Sequence, residues 1–317
     1  ERRGVEVIPD LEVADIRPLG AADGSGGYRV ETVRPGAWLA KGRRALTARG
    51  VVVAAGALGT NRLLAGCKLR GSLPALSGRL GHHVRTNSES LLAVTLPDDR
   101  LAPWNDVAIS ASIHPDPDTH IEFVTYGRHG DFMSQLTTLL VGDGTRLTRP
   151  LRLLGAILSR PVGFLRSLWP FGWSRRTLII LVMQSLDNAL RFRARRGLLG
   201  GVRLATEQDE GNPNPTYIEA GNRAALWLAK RTGGLAQSMV LEAVANIPST
   251  AHILGGAVIG RDAASGVVDA RNRAFGYENL LVCDGSTLPA NPGVNPSLTI
   301  TAVAEHAMSH VPAKAAA

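Results

Sequence analysis

The run Val51-Val52-Val53-Ala54-Ala55-Gly56 constrains the fold more than any other stretch of the chain. It is uniformly apolar, too short for a helix and bounded by Gly50 and Gly56, so it reads as a strand buried in a parallel sheet. Parallel strands are connected through helices, and a helical pattern follows at once, from Thr60 to Cys67 with Leu63 and Leu64 inward and Gly66 near its end. An α/β core is the consequence.

Composition supports this and removes several alternatives. A chain of 317 residues with 44% hydrophobic and 20% charged side chains buries one large core or two interleaved ones, which excludes disorder and coiled coil. Its 35 glycines follow no Gly-X-Y period, so they belong to turns and close backbone approaches. Cys67 and Cys283 form neither a CxxC pair nor a disulfide ladder, and no metal site is expected. Lys and Arg (35) exceed Asp and Glu (27) for a net charge of +8, which suits an anionic membrane surface. Nucleic acid is not expected as a partner, because the arginines are dispersed without interleaved aromatics or a reader motif. No segment has the ~18 uncharged apolar residues of a spanning helix. No signal-peptide series follows Glu1, so a cytoplasmic or membrane-peripheral location is expected.

Alternating residues at Val5 to Val13 and Tyr28 to Val33 predict a small antiparallel meander ahead of that strand. From Val84 to Val141 the pattern is strand-like and broken by prolines such as His114-Pro115-Asp116-Pro117, which suggests a sheet with loops. Pro150 to Trp173 is rich in Leu, Phe and Trp, interrupted by Arg152, Arg160 and Arg166, and fits an interface or lid. Thr177 to Met183 reads as a strand, Arg191 to Arg203 as a basic hairpin, and Arg223 to Ala245 as a helix broken at Gly233-Gly234. Gly266 to Asp269 and Leu280 to Cys283 are short strands joined by a turn containing Gly276. Asn295-Pro296 opens a helix that runs to about His310, with proline at the first helical position.

Three stretches together carry a resemblance: Val51 through Thr60, Ala251-His252-Ile253-Leu254-Gly255-Gly256, and Asp284-Gly285-Ser286-Thr287-Leu288-Pro289 through Gly293-Val294-Asn295-Pro296. They resemble the glucose-methanol-choline (GMC) oxidoreductases, and Gly293 to Thr301 is similar to the cholesterol-oxidase-like branch. The resemblance covers residues 1–84 and 246–311; the middle is the family's variable part. It implies a mixed α/β (α/β and α+β) fold. Residues 1–84 and 248–317 would form the C-terminal part of a discontinuous FAD-binding, Rossmann-like domain, and residues 85–247 a substrate domain with a β-sheet and helices. The family's opening strand, Gly-x-Gly-x-x-Gly and helix do not occur in these residues. The chain is therefore expected to be the C-terminal part of a longer protein and inactive alone. The family's second signature usually has Ser/Thr-Pro and Ser-Gly where this chain has Thr60-Asn61 and Ala65-Gly66.

By this resemblance His252 and Asn295 are the catalytic residues. An alcohol oxidised by a flavin loses a hydride from carbon and a proton from oxygen, and an imidazole takes such a proton near neutral pH. Asn295 would donate its amide to the substrate oxygen, while the helix behind it offers its positive end to a reduced flavin. On their own residue types, His252 could equally be a buried structural histidine and Asn295 a plain helix cap. FAD is the cofactor the resemblance implies. Asp284 and Gly285 would meet its ribityl and phosphate groups, Val7 its adenine, and Ala55, Gly56, Gly59, Asn295 and Pro296 the strand and helix ends around it. Gly255-Gly256 would let backbone approach the planar cofactor.

The resulting expectation is FAD-dependent oxidation of an alcohol CH–OH group, a sterol or 3β-hydroxysteroid, with oxygen or another acceptor taking the electrons. Pro150 to Trp173 is expected to touch membranes transiently. The competing reading is a basic lipid-surface module without catalysis, or an inactive truncated relative. Glu122 and Glu219 are the carboxylates considered for moving a steroid double bond, and each reads first as a solvated strand or loop charge.

Overall fold

The computed structural model describes residues 4–37, 41–105, 107–197, 201–208 and 211–313. The first sheet is an antiparallel meander of β1 (Glu12–Pro18), β2 (Tyr28–Val33) and β3 (Arg44–Ala48), in that order. It starts later than the alternation at Val5 suggests. Residues 5–9 lie outside any strand, because Pro9 lacks a donor and Asp10 turns the chain at φ 57°.

Next comes β4 (Val51–Val53), which pairs in parallel with the distant β15 (Leu280–Val282) through Leu280↔Val51 and Val282↔Val53. That pairing brings the C-terminal return against the first part of the chain. The expected burial on both faces does not hold, since Val53 is buried while Val52 is 48% exposed. Between them, α1 (Gly56–Arg70) begins directly after the strand and ends at Gly71, whose φ of 80° and bond to the Lys68 carbonyl close the last turn. The helix is longer at both ends than the pattern from Thr60 to Cys67. One core joins these segments, with Ile16, Tyr28, Val53, Leu64 and Leu73 packed against Val267, Val268, Leu280 and Val282. Each fully buried aliphatic side chain there contributes about 1.5–3 kcal/mol. Tyr28 adds a stitch by donating its hydroxyl to the Glu278 carbonyl at 2.6 Å.

A second core lies under a six-stranded sheet. Its strands are β6 (Ser90–Thr95), β7 (Ile109–Asp116), β8 (Thr119–Val124), β9 (Thr137–Leu139), β10 (Thr177–Gln184) and β13 (Leu235–Met239), ordered β7-β8-β10-β6-β13-β9. The His114-Pro115 prolines do not break β7; it is an edge strand with a register shift between Ile113 and Asp116, where a missing N–H is tolerated. Leu92, Val94, Ile121, Ile180 and Val182 pack on Ile218 and Ala225 of α4 (Glu219–Thr232) and its entry. After Gly233 the chain does not resume a helix. It forms β13 and then the short α5 (Val240–Ala245), because Leu235 to Ser238 pair along β6.

A four-stranded sheet, β12-β11-β5-β14, joins β5 (His82–Thr86) and β14 (Ile253–Gly256) to the hairpin β11 (Leu190–Arg196) and β12 (Val202–Gln208). Gly266 to Asp269 makes only isolated bridges, Val268 to Ile259 and Ala274, rather than a strand. Two helices carry the Leu/Trp-rich stretch: α2 (Thr148–Ser159) and α3 (Pro161–Ser167). The last helix, α6 (Ser297–Ser309), is capped by Pro296 and has only Ala307 buried among its residues. No helix among the described residues is long and apolar enough to cross a membrane.

Candidate functional site

His252 sits at the head of β14, on a short loop leaving α5. Its backbone is fixed locally, since its N–H donates to the Thr250 hydroxyl at 3.1 Å and that hydroxyl donates back to the His252 carbonyl at 3.0 Å. The ring is fixed by Glu89. Nδ1 lies 2.5 Å from Glu89 Oε1, while the Ala251 N–H donates to Glu89 Oε2 at 2.6 Å. Glu89 precedes β6 and its side chain is completely buried. With Nδ1 committed to Glu89 in the N–H tautomer, Nε2 is the nitrogen left for a substrate. Burial pulls the His252 pKa down, but the Glu89 hydrogen bond and charge, the Glu122 charge and Asn295 outweigh it, and the result is raised.

Asn295 is the second element of the site. It lies one residue before the Pro296 cap of α6, so it is not the helix cap. Its amide nitrogen donates to both oxygens of Glu122, at 3.1 and 3.0 Å. The structure thus commits to Glu122 the donor that the resemblance assigns to the substrate. Glu122 comes from β8, where alternation turns it and His120 to one face of the sheet and Ile121 and Phe123 to the other. It is buried, not a solvated strand charge, whereas Glu219 is exposed in the first turn of α4 as a surface carboxylate should be. His120 Nε2 stands 3.7 Å from Glu122 Oε1.

The third element is the cluster around Asp284. At the end of β15 this carboxylate accepts the Gly56 N–H at 3.1 Å, the Thr60 hydroxyl at 2.5 Å and the Ser286 N–H at 2.8 Å. It therefore ties the start of α1 to the turn Gly285–Thr287. Asn61 adds a bond from its amide to the Gly255 carbonyl at 3.0 Å. Thr60, and Asn61 where the family signature has proline, thus stitch the C-terminal return in place. Gly255 and Gly256 have φ of 75° and 89°, and a Cβ on either would collide with the His83 carbonyl or the Asn61 side chain. Their close approach, as seen here, is to the protein itself.

Of the other expected cofactor positions, Ala55 and Gly56 are exposed at the end of β4, Gly59 is half-buried, Gly285 and Pro296 are buried, and Val7 is 67% exposed outside any strand. The first turns of α1 and α6 carry no acidic residue and neither cap residue makes a side-chain hydrogen bond, so, apart from the Gly56 N–H that Asp284 accepts, both present N–H donors to an anionic group. Ser286 contributes a buried hydroxyl without a partner. Apolar Val52, Leu58 and Leu298 are exposed around these helix ends, Leu298 at 83%. These features fit a large planar cofactor that carries phosphate. Among the described residues no cluster of His, Cys, Asp or Glu is arranged to hold a metal ion.

Glu89 escaped the sequence reading. Its only signal is a lone carboxylate at the head of the apolar run Leu91 to Val94, and the His252 contact spans 163 positions.

Residues 187–304 match the family model described as GMC oxidoreductase. Over 322 aligned residues the chain is 45% identical to a cholesterol oxidase of Mycobacterium tuberculosis, covering 99% of this chain and 54% of that protein. It is 42% identical over 317 residues to a cholesterol oxidase of Acinetobacter baumannii, covering 99% and 56%. The chain spans about half the length of the curated relatives it matches. Among solved structures, pyridoxine 4-oxidase from Mesorbium loti superposes with a TM-score of 0.53 at 15% identity, over 95% of this chain and 57% of that one, a likeness of fold.

Proposed function

We propose that this chain, which carries a GMC oxidoreductase domain over residues 187–304, supplies the proton-handling side of an FAD-dependent oxidation of an alcohol CH–OH group, with a sterol or 3β-hydroxysteroid as substrate. The observation that carries the reading is the convergence of two buried carboxylate pairs, Glu89 with His252 and Glu122 with Asn295, beside two helix ends whose cap residues make no side-chain hydrogen bond. The sterol assignment rests on the 45% identity to cholesterol oxidases along 99% of the chain.

When bound, FAD supplies the hydride acceptor. The N-terminal ends of α1 and α6, with Ser286, Gly285 and Pro296 between them, are the groups that would hold it. His252 then takes the alcohol proton on Nε2. Glu89 holds the ring in the tautomer that leaves Nε2 unprotonated, and it stabilises the imidazolium once the proton arrives. Glu122 fixes the Asn295 amide, leaving the Asn295 carbonyl oxygen and the His252 ring to orient the hydroxyl. Oxygen or another acceptor would take up the electrons.

The test is single-turnover reduction of bound flavin by substrate in a His252→Ala enzyme. A fall of more than ~10²-fold with flavin retained supports the assignment. An unchanged rate overturns it.

A lipid-surface contact is the second reading, and α2 and α3 favour it. Leu151, Leu154, Leu158, Leu165 and Trp169 point outward, Trp169 at 60% exposure, among exposed Arg152, Arg160 and Arg166. No acidic residue occurs from Thr145 to Leu186. Such a face suits an anionic bilayer from which an insoluble alcohol is taken. Flotation with anionic vesicles should lose the Leu165, Leu168 and Trp169 to Ser variant while retaining wild type; equal partition removes this contact.

A further inference from the structure

Residues 289–295, the approach to Asn295, make no backbone–backbone hydrogen bond among the described residues. Side-chain bonds to the rest of the fold hold them instead. Arg85 Nε donates to the Pro289 carbonyl at 3.0 Å, Asn291 donates its amide to the Leu186 carbonyl at 3.0 Å, and Asn87 Nδ2 donates to the Val294 carbonyl at 2.9 Å. Of these ties, the one from Asn87 stands directly beside Asn295. A carbonyl only accepts, so the face of the Asn87 amide turned to Val294 is its NH2. We propose that Asn87 is a positioning residue for Asn295: it sets where the Asn295 backbone stands, while Glu122 sets which way the Asn295 amide points.

Asn87 is well placed to act as a fixed point. It is completely buried in the linker between β5 and β6, and its own carbonyl accepts the Gln184 N–H at 2.7 Å. The next residue, Ser88, is left-handed at φ 47°, a conformation unusual for serine. Its N–H donates to the Thr86 hydroxyl at 3.1 Å and its hydroxyl to Asn188 Oδ1 at 3.0 Å, so the turn is held on both sides. Three consecutive buried polar residues result, Asn87, Ser88 and Glu89. Asn87 reaches Val294 across 207 positions and Glu89 reaches His252 across 163. One short linker thereby carries a tie toward each of the two expected catalytic residues.

The sheet completes the clamp on Asn295. Asn87 Nδ2 also lies 3.4 Å from Met183 Sδ, and Met183 pairs with His120 across β10 and β8, on the face that carries Glu122. Asn87 and Glu122 therefore hold neighbouring groups of one segment, the Val294 carbonyl and the Asn295 amide. An amide held only by Glu122 can pivot about that contact. Asn87 Oδ1 is buried without a partner, so the amide carries the cost of an unpaired oxygen that an apolar side chain of similar size would avoid. The donor to Val294 is what it contributes in return. Without that donor the half-exposed Val294 segment turns its carbonyl to water and takes Asn295 with it, and a displacement of about 1 Å in a group that orients substrate slows reaction by as much as ~10²-fold.

This inference rests on the reading of Asn295 as a group that orients the substrate hydroxyl. Its test is a double-mutant cycle in the full-length, flavin-loaded enzyme, read by stopped-flow reduction of the flavin. Asn87→Leu should lower the limiting rate by ~10-fold while the half-saturating substrate concentration and the retained flavin stay within about two-fold of wild type. In an Asn295→Ala background the same substitution should cost less than about two-fold, because the group it positions is gone. Asn87→Ser, which keeps polarity but cannot reach Val294, should repeat both results and serves if the leucine variant does not fold. A rate equal to wild type, or a loss that persists in full without the Asn295 side chain, overturns the proposal and leaves the catalytic reading intact. An Asn295→Ala enzyme as fast as wild type defeats the reading of Asn295 and this proposal with it.

Discussion

The two halves of the site are built in opposite ways. Around His252 and Asn295 the polar groups are paired with one another and enclosed: Glu89 is completely buried, Glu122 nearly so, and each carboxylate holds one expected catalytic residue. Around Asp284 the hydrogen bonds are equally complete, yet the helix ends they support remain open, with Ala54 to Gly56 and Leu298 exposed. A group that moves protons must have its tautomer and basicity fixed before substrate arrives, which requires buried partners. A surface that receives a cofactor must keep its donors and apolar contacts unused until the cofactor covers them. On the proposed reading, the half that would handle protons is finished internally, and the half that would face the cofactor is scaffolded from behind.

Substitutions can separate the halves. The largest effect belongs to His252→Ala, where flavin reduction falls by more than ~10²-fold and bound flavin is retained; flavin loss instead would place His252 with the cofactor half and break the contrast. Glu89→Gln comes next. It removes the charge that raises the His252 pKa and leaves one acceptor where the His252 ring and the Ala251 N–H each had one, so reduction slows by ~10-fold or more. With neutral His252 as the proposed proton acceptor, the rate should fall as pH drops through the raised pKa, and in the variant that fall should move to lower pH. Stopped-flow reduction between pH 5 and 8 measures both, and an unmoved profile would show that Glu89 acts only in packing.

Asn295→Asp places a second carboxylate against Glu122 and beside the helix end that would face the flavin. Reduction should slow by ~10-fold, and the flavin midpoint potential should fall, since accumulating negative charge is disfavoured. An unchanged or higher potential would confine Asn295 to a structural part. The smallest chemical effect is expected for Asp284→Asn. It weakens the tie between Gly56, Thr60 and Ser286, lowers stability by about 1–3 kcal/mol and reduces flavin retention. Reduction per bound flavin should stay within a few-fold of wild type; a drop as large as that of Glu89→Gln would erase the distinction.

Local pattern made several parts legible. The strand at Val51, the helix body from Thr60 to Cys67, the strand from Thr177 to Met183, the basic hairpin and the C-terminal helix all follow from apolar period, glycine and proline placement. The departures have causes that are local in part and tertiary in part. Pro9 and Asp10 delay the first strand, an edge position absorbs Pro115, and β6 captures Leu235 to Ser238 as a strand where periodicity suggests helix. His252, Asn295 and Asp284 were found through the resemblance of their flanking residues. Glu89 was not, and Glu122 reads in sequence as surface charge.

What the sequence determined by itself is thus the alternation of elements and the residue types able to hold or move a proton, because these depend on periodicity, turn chemistry and side-chain acidity within a few positions. Which carboxylate meets which partner was decided only by the tertiary structure. Glu89 reaches His252 across 163 positions, Glu122 reaches Asn295 across 173, and Thr60 reaches Asp284 across 224. Strand order and the parallel return of β15 onto β4 create those meetings, and burial converts them into a raised histidine pKa and a fixed amide. A carboxylate's effect depends on its distance to a partner and on the water removed around it, neither of which a linear pattern encodes.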